Sequence, residues 1–287
     1  MRTVDYLDKQ QKAKNICIQT IKYILLLLWV FIVIFPLSII FFTSFKTDAE
    51  YIKTSVFQMP SNFFNFNNYI TTFKYGNFLT GFKNSFILVF FGTLGSVLTG
   101  TMLAYCLSRF DFKMKKAINF LYIFSAMVPG ATLQVTIYPM LVKLGLTGHL
   151  AAPILLYNGT DIIQIWIYLQ FMNKISISLD ESAMLDGASY FKIFKSIILP
   201  LLAPATATIV IIKSISIYND MFTQYLYNTR PNLYTIVNSL MAFSGIRSNV
   251  ENQMSAGIIM AMLPTIVLFI FLQKYILSGI TMGAIKE

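Results

Sequence analysis

Long apolar stretches alternate with shorter polar ones along almost the whole chain. A transmembrane helix needs about 20 apolar residues. Six stretches reach that length, at about 22–43, 85–107, 117–139, 150–172, 199–219 and 254–276. The pattern therefore predicts an all-α integral membrane protein with six transmembrane helices. The first stretch is too long for a signal-peptide core, and no small-residue cleavage site precedes Phe45, so we expect it to be retained.

Composition agrees with a membrane protein. Apolar residues make up 56% of the 287 residues and charged residues only 12%. So few polar side chains cannot coat a soluble globule, which excludes a water-soluble fold for the whole chain. Neither an internal repeat nor a low-complexity segment is visible in the sequence, so we predict one transmembrane domain that covers residues 1–287.

Lysine and arginine are unevenly distributed between the predicted loops. If the N-terminus is cytoplasmic, the inner segments hold fourteen of these residues and the outer segments seven. Because positive charge favours the cytoplasmic side, both termini are predicted to be cytoplasmic. The net charge of +10 is then explained by topology and by anionic lipid. Nucleic acid is not an expected partner, since the basic residues are too scattered to follow a phosphate backbone.

The polar segment at about 173–198 contains an amphipathic helical pattern that is interrupted by a glycine. Its apolar residues recur at helical spacing: Leu179, Ala183, Met184, Ala188, Phe191 and Phe194. Gly187 inside such a pattern costs roughly 1 kcal/mol relative to alanine, so we predict two short helices with a bend between them. Leu199-Pro200 marks the start of the next helix, because proline suits a first turn.

The same segment carries a motif with a characteristic spacing. Glu181-Ser182-Ala183 is followed by Asp186-Gly187-Ala188 and, nine residues after the glycine, by Ile197-Ile198-Leu199-Pro200. This resembles the motif of permease subunits of binding-protein-dependent ABC importers: Glu-Ala-Ala, three residues, Gly, nine residues, Ile-x-Leu-Pro. Ser182 replaces the usual alanine, and Ser176 stands where a proline often opens the loop helix.

The resemblance implies that this segment docks on an ATPase. The residues that it assigns to coupling are Glu181, Ser182, Ala183, Asp186, Gly187 and Ala188. In this hypothesis Glu181 meets a basic or amide-bearing rim, the alanines allow close approach, and Gly187 supplies the bend. Asp186 is predicted to cap the second short helix by accepting hydrogen bonds from its first backbone N–H groups.

Other segments are similar to the carbohydrate branch of the same family. They include Asn84-Ser85-Phe86, Ser108-Arg109-Phe110, Met127-Val128-Pro129 and Tyr218-Asn219-Asp220, the last with tyrosine where tryptophan is usual. The chain resembles the smaller, six-span permease of maltose-type importers over nearly its whole length, which implies the type I ABC importer permease fold. The similarity of the tail implies a second ATPase contact at Thr281, Met282 and Gly283.

The resemblance also implies partners and a location. These are a second permease that forms a heterodimer with this chain, two ATPase subunits, an extracytoplasmic solute-binding protein, a carbohydrate substrate and the lipid of a bacterial cell membrane. The sequence itself contains no GxxxxGK[ST] loop and no nucleophile with a base, so ATP and Mg²⁺ are expected to bind to the separate ATPases. The chain is expected to bind no cofactor and no metal: His149 is its only histidine, and Cys17 and Cys106 are isolated.

A sugar site in a membrane needs aromatic faces for the rings and amide or hydroxyl groups for the sugar hydroxyls. Candidates for this substrate path are Tyr157, Asn158, Gln164, Trp166, Lys213, Tyr218 and Asn219. Each of them is equally explained as a polar residue in helix packing. Lys213 has three interpretations: it snorkels outward, pairs with Asp161, or attracts an acidic group on the sugar.

Three further questions stay open at this level. A stand-alone secondary transporter would show two related halves with broken helices and acidic residues for ion coupling. A membrane-embedded enzyme would need clustered histidines or carboxylates, which the sequence does not show. The outer loop at about 45–84 is rich in aromatic residues, which fits either an interfacial stretch or a surface for a soluble partner.

Overall fold

The computed structural model describes residues 2–246 and 251–284, and within them all side chains except those of residues 2–14, 246, 272 and 274–284. This part of the chain is helical and contains no strand. Its helices are α1 (Arg2–Phe45), α2 (Asp48–Lys53), α3 (Asn67–Tyr75), α4 (Phe78–Arg109), α5 (Lys115–Ser125), α6 (Gly130–Lys143), α7 (Ala151–Tyr157), α8 (Ile162–Met172), α9 (Ser178–Leu185), α10 (Tyr190–Ile193), α11 (Leu199–Leu201), α12 (Ala203–Asn219), α13 (Met221–Tyr227), α14 (Ile236–Ile246) and α15 (Glu251–Ala284). A π-helical turn, Phe194–Ile198, joins α10 to α11, and a 3₁₀ turn, Pro231–Leu233, precedes α14.

Three helical stretches in the described residues are long and apolar enough to cross a membrane: Asn15–Phe45, Phe78–Arg109 and Glu251–Phe271. Two more spans are obtained if bent helix pairs count as one each. The α5–α6 pair bends by 107°, and the pair Tyr190–Leu201 and Ala203–Asn219 bends by 75°. Six continuous spans are therefore not confirmed. Five of the six predicted spans overlap these candidates, three as continuous helices and two as bent pairs. The remaining predicted span, 150–172, is divided into α7 and α8, with residues 158–161 between them.

Local sequence explains the interruptions. Pro129 lies at the N-cap of α6, and Pro204 lies in the first turn of α12, where the missing N–H of proline is tolerated. At the third break Asp161 has an extended backbone and caps α8 by accepting a hydrogen bond from the backbone N–H of Gln164. Each break thus coincides with a residue that favours the start of a new helix.

The described residues divide into two compact units. The first contains residues 2–72 and 251–260, and buried amides organise it. Asn68 Nδ2 donates to the carbonyl oxygens of Ser44 and Lys46, both at 2.8 Å, and Asn252 Nδ2 donates to the Lys46 carbonyl at 3.0 Å. The Lys46 side chain is fully buried and donates to Thr54 Oγ1 and to the carbonyl of Ser55. The predicted outer loop therefore includes short helices held by specific hydrogen bonds.

The second unit contains residues 73–246 and the remainder of α15. Helix α4 packs against α7, α8, α12 and α14. Small residues make these contacts close: a Cβ added at Gly92 would lie 2.9 Å from Tyr157 Cβ, and one added at Gly95 would overlap the Asn158 amide. A buried apolar cluster joins α4 and α8 to the segment from α10 to α12: Val97, Ala104, Tyr105, Tyr168, Met172, Ile193, Phe194, Ile198, Leu202, Ala205 and Ile209.

Candidate functional site

The predicted coupling loop forms two short helices with a tight bend. Helix α9 ends at Leu185, and Gly187 follows with φ +78°, in the left-handed region that glycine adopts most readily. The bend predicted at Gly187 is therefore confirmed. The capping role predicted for Asp186 is wrong: Ser189, with an extended backbone, accepts the hydrogen bond from the Lys192 N–H at 3.4 Å, while Asp186 terminates α9. The bend occupies residues 187 and 188, which places Ser189 at the N-cap.

The two faces of this segment have different environments. Ala183 and Ala188 pack against the chain's own apolar cluster, whereas Glu181, Ser182 and Asp186 are exposed. The exposed face also carries large apolar side chains that the sequence analysis did not single out as a surface. Leu185 is 90% exposed, and Tyr190 and Phe191 are also exposed. Apolar residues grouped on a polar segment are typical of a protein-docking surface.

A buried ion pair connects this segment to the end of α4. Arg109 Nε lies 3.1 Å from Asp180 Oδ2, and the two side chains are only 8% and 7% exposed. Arg109 Nη2 also donates to the Ile175 carbonyl at 2.9 Å, and Tyr105 OH donates to Asp180 Oδ1 at 3.4 Å. The sequence analysis missed this pair. The only available signal was the position of Arg109 in a family-like stretch, since its partner is 71 residues away in sequence.

The break between α7 and α8 gathers several polar groups. Asp161 Oδ1 accepts from the Gln164 N–H at 2.9 Å, and Asp161 Oδ2 lies 2.7 Å from Lys213 Nζ on α12. Thr99 Oγ1 donates to the Asn158 carbonyl at 2.7 Å, and Tyr122 OH and Thr160 Oγ1 are hydrogen-bonded at 2.7 Å. Of the three interpretations of Lys213, the structure shows the pair with Asp161.

The other path candidates have separate environments. Gln164 is buried and exchanges two hydrogen bonds with Ser96, through its Nε2 at 2.6 Å and its Oε1 at 2.9 Å. Tyr157 OH donates to Asp220 Oδ2 at 2.9 Å, and Tyr218 OH donates to the Ala261 carbonyl at 2.8 Å. Trp166 and Asn219 are exposed. The structure thus gives Gln164, Tyr157 and Tyr218 intramolecular partners and leaves Trp166 and Asn219 accessible.

Two remaining predictions concern the tail and metals. The side chains of Thr281, Met282 and Gly283 lie outside those that the structure describes, so the predicted tail contact stays a prediction. Within the described residues no group of three or more histidine, cysteine or acidic side chains is arranged to hold a metal ion.

Comparison with known proteins identifies the family. The family model described as "Binding-protein-dependent transport system inner membrane component" matches residues 96–282. The chain is 33% identical over 253 residues to the melibiose/raffinose/stachyose import permease protein MelC of Bacillus subtilis, which covers 88% of this chain and 91% of MelC. It is 28% identical over 276 residues to the trehalose/maltose transport system permease protein MalG of Thermococcus litoralis, covering 93% and 98%.

A solved structure shares the fold. It belongs to a bacterial ABC transporter involved in the import of the acidic polysaccharide alginate, with a TM-score of 0.80, 22% identity, and coverage of 89% of this chain and 95% of that one. At this identity the likeness establishes the fold only. The family match and the similarity to MelC establish more: the chain is a multi-pass membrane protein that belongs to the binding-protein-dependent transport system inner membrane components, the permease subunits of ABC importers.

Proposed function

We propose that this chain is one of two different permease subunits in a bacterial carbohydrate ABC importer. The relatives support a sugar substrate, since MelC and MalG are named for the import of saccharides. The observation that carries the transport role is the segment from α9 to α10, which combines the family motif, the left-handed bend at Gly187 and an exposed apolar face at Leu185. A stand-alone secondary transporter is not favoured, because the family depends on binding proteins.

The proposed arrangement places both termini and the coupling segment in the cytoplasm, as the distribution of basic residues indicates. Two ATPase subunits bind ATP and Mg²⁺ there and receive α9 in a cleft, with Glu181 at its rim. The solute-binding protein delivers the sugar from the opposite side of the cell membrane. A known parallel for that delivery is an alginate ABC transporter whose structure was solved with its sugar-bound periplasmic protein.

The Arg109–Asp180 pair gives this proposal a physical route for coupling. Motion of α9 with the ATPase pulls on Asp180, and the buried pair transfers that displacement to α4. Helix α4 in turn contacts α7, α8 and α12, which flank the break at residues 158–161. ATP binding in the cytoplasm can therefore shift helices within the membrane through contacts that this chain provides.

The test is transport by the complex reconstituted in proteoliposomes with its second permease, its ATPases and its binding protein. We expect saccharide import and ATP hydrolysis that the loaded binding protein stimulates. Gly187→Val should reduce both by roughly five- to thirty-fold, because valine in the left-handed region costs about 1–2 kcal/mol. Gly145→Val is the matched control, since Gly145 has a similar φ of +67° and equally open surroundings but lies in the turn between α6 and α7. Equal loss in both variants would contradict the coupling role.

A further inference from the structure

The position of the Asp161–Lys213 pair along its helices corresponds to the middle of a bilayer, where charge is most costly. Lys213 is ten residues into α12, about 15 Å along the helix. The break that contains Asp161 is bonded to α4 through Ser96 and Thr99, close to the midpoint of that long helix. Both charged groups are therefore placed near the middle of the membrane-spanning part of the unit.

The two members of the pair are not equally accessible. The Asp161 side chain is 51% exposed, whereas that of Lys213 is 15% exposed. A half-exposed carboxylate and an interrupted backbone are not tolerated against lipid tails, because neither can be solvated there. The accessible face of Asp161 must therefore border a water-filled passage or a polar surface of the second permease.

The hydrogen bonds at the break define what that face offers. The Asp161 carboxylate accepts from the backbone N–H groups of Gln164 and Ile163 and is paired with Lys213, so about one of its roughly four acceptor sites stays open. The hydroxyl groups of Thr160 and Tyr122 are paired with each other beside it. A solute approaching from the passage meets carboxylate oxygens first, because the ammonium of Lys213 is covered.

We propose that Asp161 forms a saccharide subsite that selects neutral sugars, with Lys213 as the residue that positions its carboxylate. A sugar hydroxyl group donates to the acceptor site that Asp161 keeps open, while a uronate or sulfate group is repelled by the same carboxylate. This inference rests on the proposed sugar transport and makes it more specific. It argues against the interpretation that Lys213 attracts an acidic group on the sugar, since Lys213 is already paired with the carboxylate of Asp161.

The experiment measures sugar binding separately from transport. The assembled complex in nanodiscs, without the binding protein, is titrated with maltose and with the matching glucuronosyl-glucose, and saturation-transfer NMR gives the ratio of their affinities. The variants are Asp161→Asn, Lys213→Gln and the double substitution. Asparagine remains a good helix N-cap, but Asp161→Asn leaves the covered ammonium of Lys213 without its carboxylate partner. The double variant removes both charges, so it tests the loss of the carboxylate without an unpaired buried charge.

We expect the wild-type complex to prefer the neutral sugar, and Asp161→Asn to lower the neutral-to-acidic affinity ratio by about tenfold or more. Lys213→Gln should raise that ratio, and the double variant should fall between the two. Asp111→Asn, which removes a carboxylate from an exposed pair with Lys115, should leave the ratio unchanged.

Three results would overturn the proposal: an unchanged ratio in all three variants, a wild-type preference for the acidic sugar, or no binding of either sugar to the wild type. Import measured with the binding protein in the same preparation separates this question from the proposed function. If import is present and the ratio is unaffected, the subsite is refuted while the importer assignment stands.

Discussion

The buried pair between Arg109 and Asp180 leads to a quantitative prediction. Asp180→Asn keeps the shape of the side chain but leaves the Arg109 guanidinium buried with only neutral partners, one of which is the Ile175 carbonyl. Removing one member of a buried ion pair typically costs about 3–5 kcal/mol. That is a large part of the roughly 5–15 kcal/mol that holds a folded domain together. We therefore expect α9 to detach from the end of α4.

The assay is the ratio of sugar imported to ATP hydrolysed in proteoliposomes, together with the thermal stability of the purified complex. Asp180→Asn should lower both the ratio and the melting temperature. The exposed Asp111–Lys115 pair provides the control: Asp111→Asn removes the same charge from a solvated pair, and such pairs contribute little.

A second variant separates the need for charge from the need for packing. Replacing Arg109 by methionine and Asp180 by leucine removes both charges, and such apolar replacements of buried pairs are often neutral or stabilising. We expect the melting temperature to recover in this double variant. Wild-type stability and a wild-type import-to-ATP ratio in Asp180→Asn alone would refute the assigned role of the pair.

The remaining predictions concern the docking face and the packing of α4. Leu185→Glu should weaken co-purification of the ATPase subunits about tenfold or more, since burying a leucine contributes about 1.5–3 kcal/mol, while Ile52→Glu, an exposed site on α2, should not. Gly95→Ala should lower the melting temperature of the complex, because its Cβ would overlap Asn158 and overpacking costs about 1–3 kcal/mol. Gly130→Ala, with open space at the Cβ position, should have little effect.

The bend of the coupling segment could be predicted because its causes are local. The glycine interrupts an amphipathic pattern, and glycine is the residue type that adopts the left-handed backbone of Gly187 most readily. The N-cap was assigned to Asp186 instead of Ser189 because both residue types cap helices well. The choice depends on how many residues the bend consumes, which spacing alone does not determine.

The interruption between α7 and α8 was not predicted, because an apolar stretch does not show where the backbone hydrogen bonds of a helix are broken. Residues 158–161 are few, and apolar residues continue on both sides of them. The carbonyl groups of Gly159 and Asn158 accept from Ser96 and Thr99 of α4, and the Thr160 hydroxyl is bonded to Tyr122 of α5. The Arg109–Asp180 pair was not predicted for the same reason. Its geometry depends on a partner far away in sequence, which a single sequence does not reveal.

Helices α4 and α8 connect the coupling segment to the proposed sugar site by two routes. Helix α4 carries Arg109 at its end and Ser96 near its middle, and Ser96 is bonded to Gln164 in the first turn of α8. Helix α8 begins beside Asp161 and ends at Met172, within the apolar cluster that also holds Ile193 of α10. Because α8 is only about 16 Å long and its ends are anchored, it must move as one piece.

This geometry gives the Arg109–Asp180 pair and the Asp161–Lys213 pair different functions. A displacement of α8 against α12 changes the position of Asp161 relative to Lys213, and their contact at 2.7 Å opposes it. The Arg109–Asp180 pair lies on the input side of that movement and has no contact with the break. Asp180→Asn should therefore reduce the sugar imported per ATP while leaving the neutral-to-acidic preference unchanged. A change of preference in that variant would mean that the coupling segment shapes the sugar site itself, and that α8 does not move as a rigid unit.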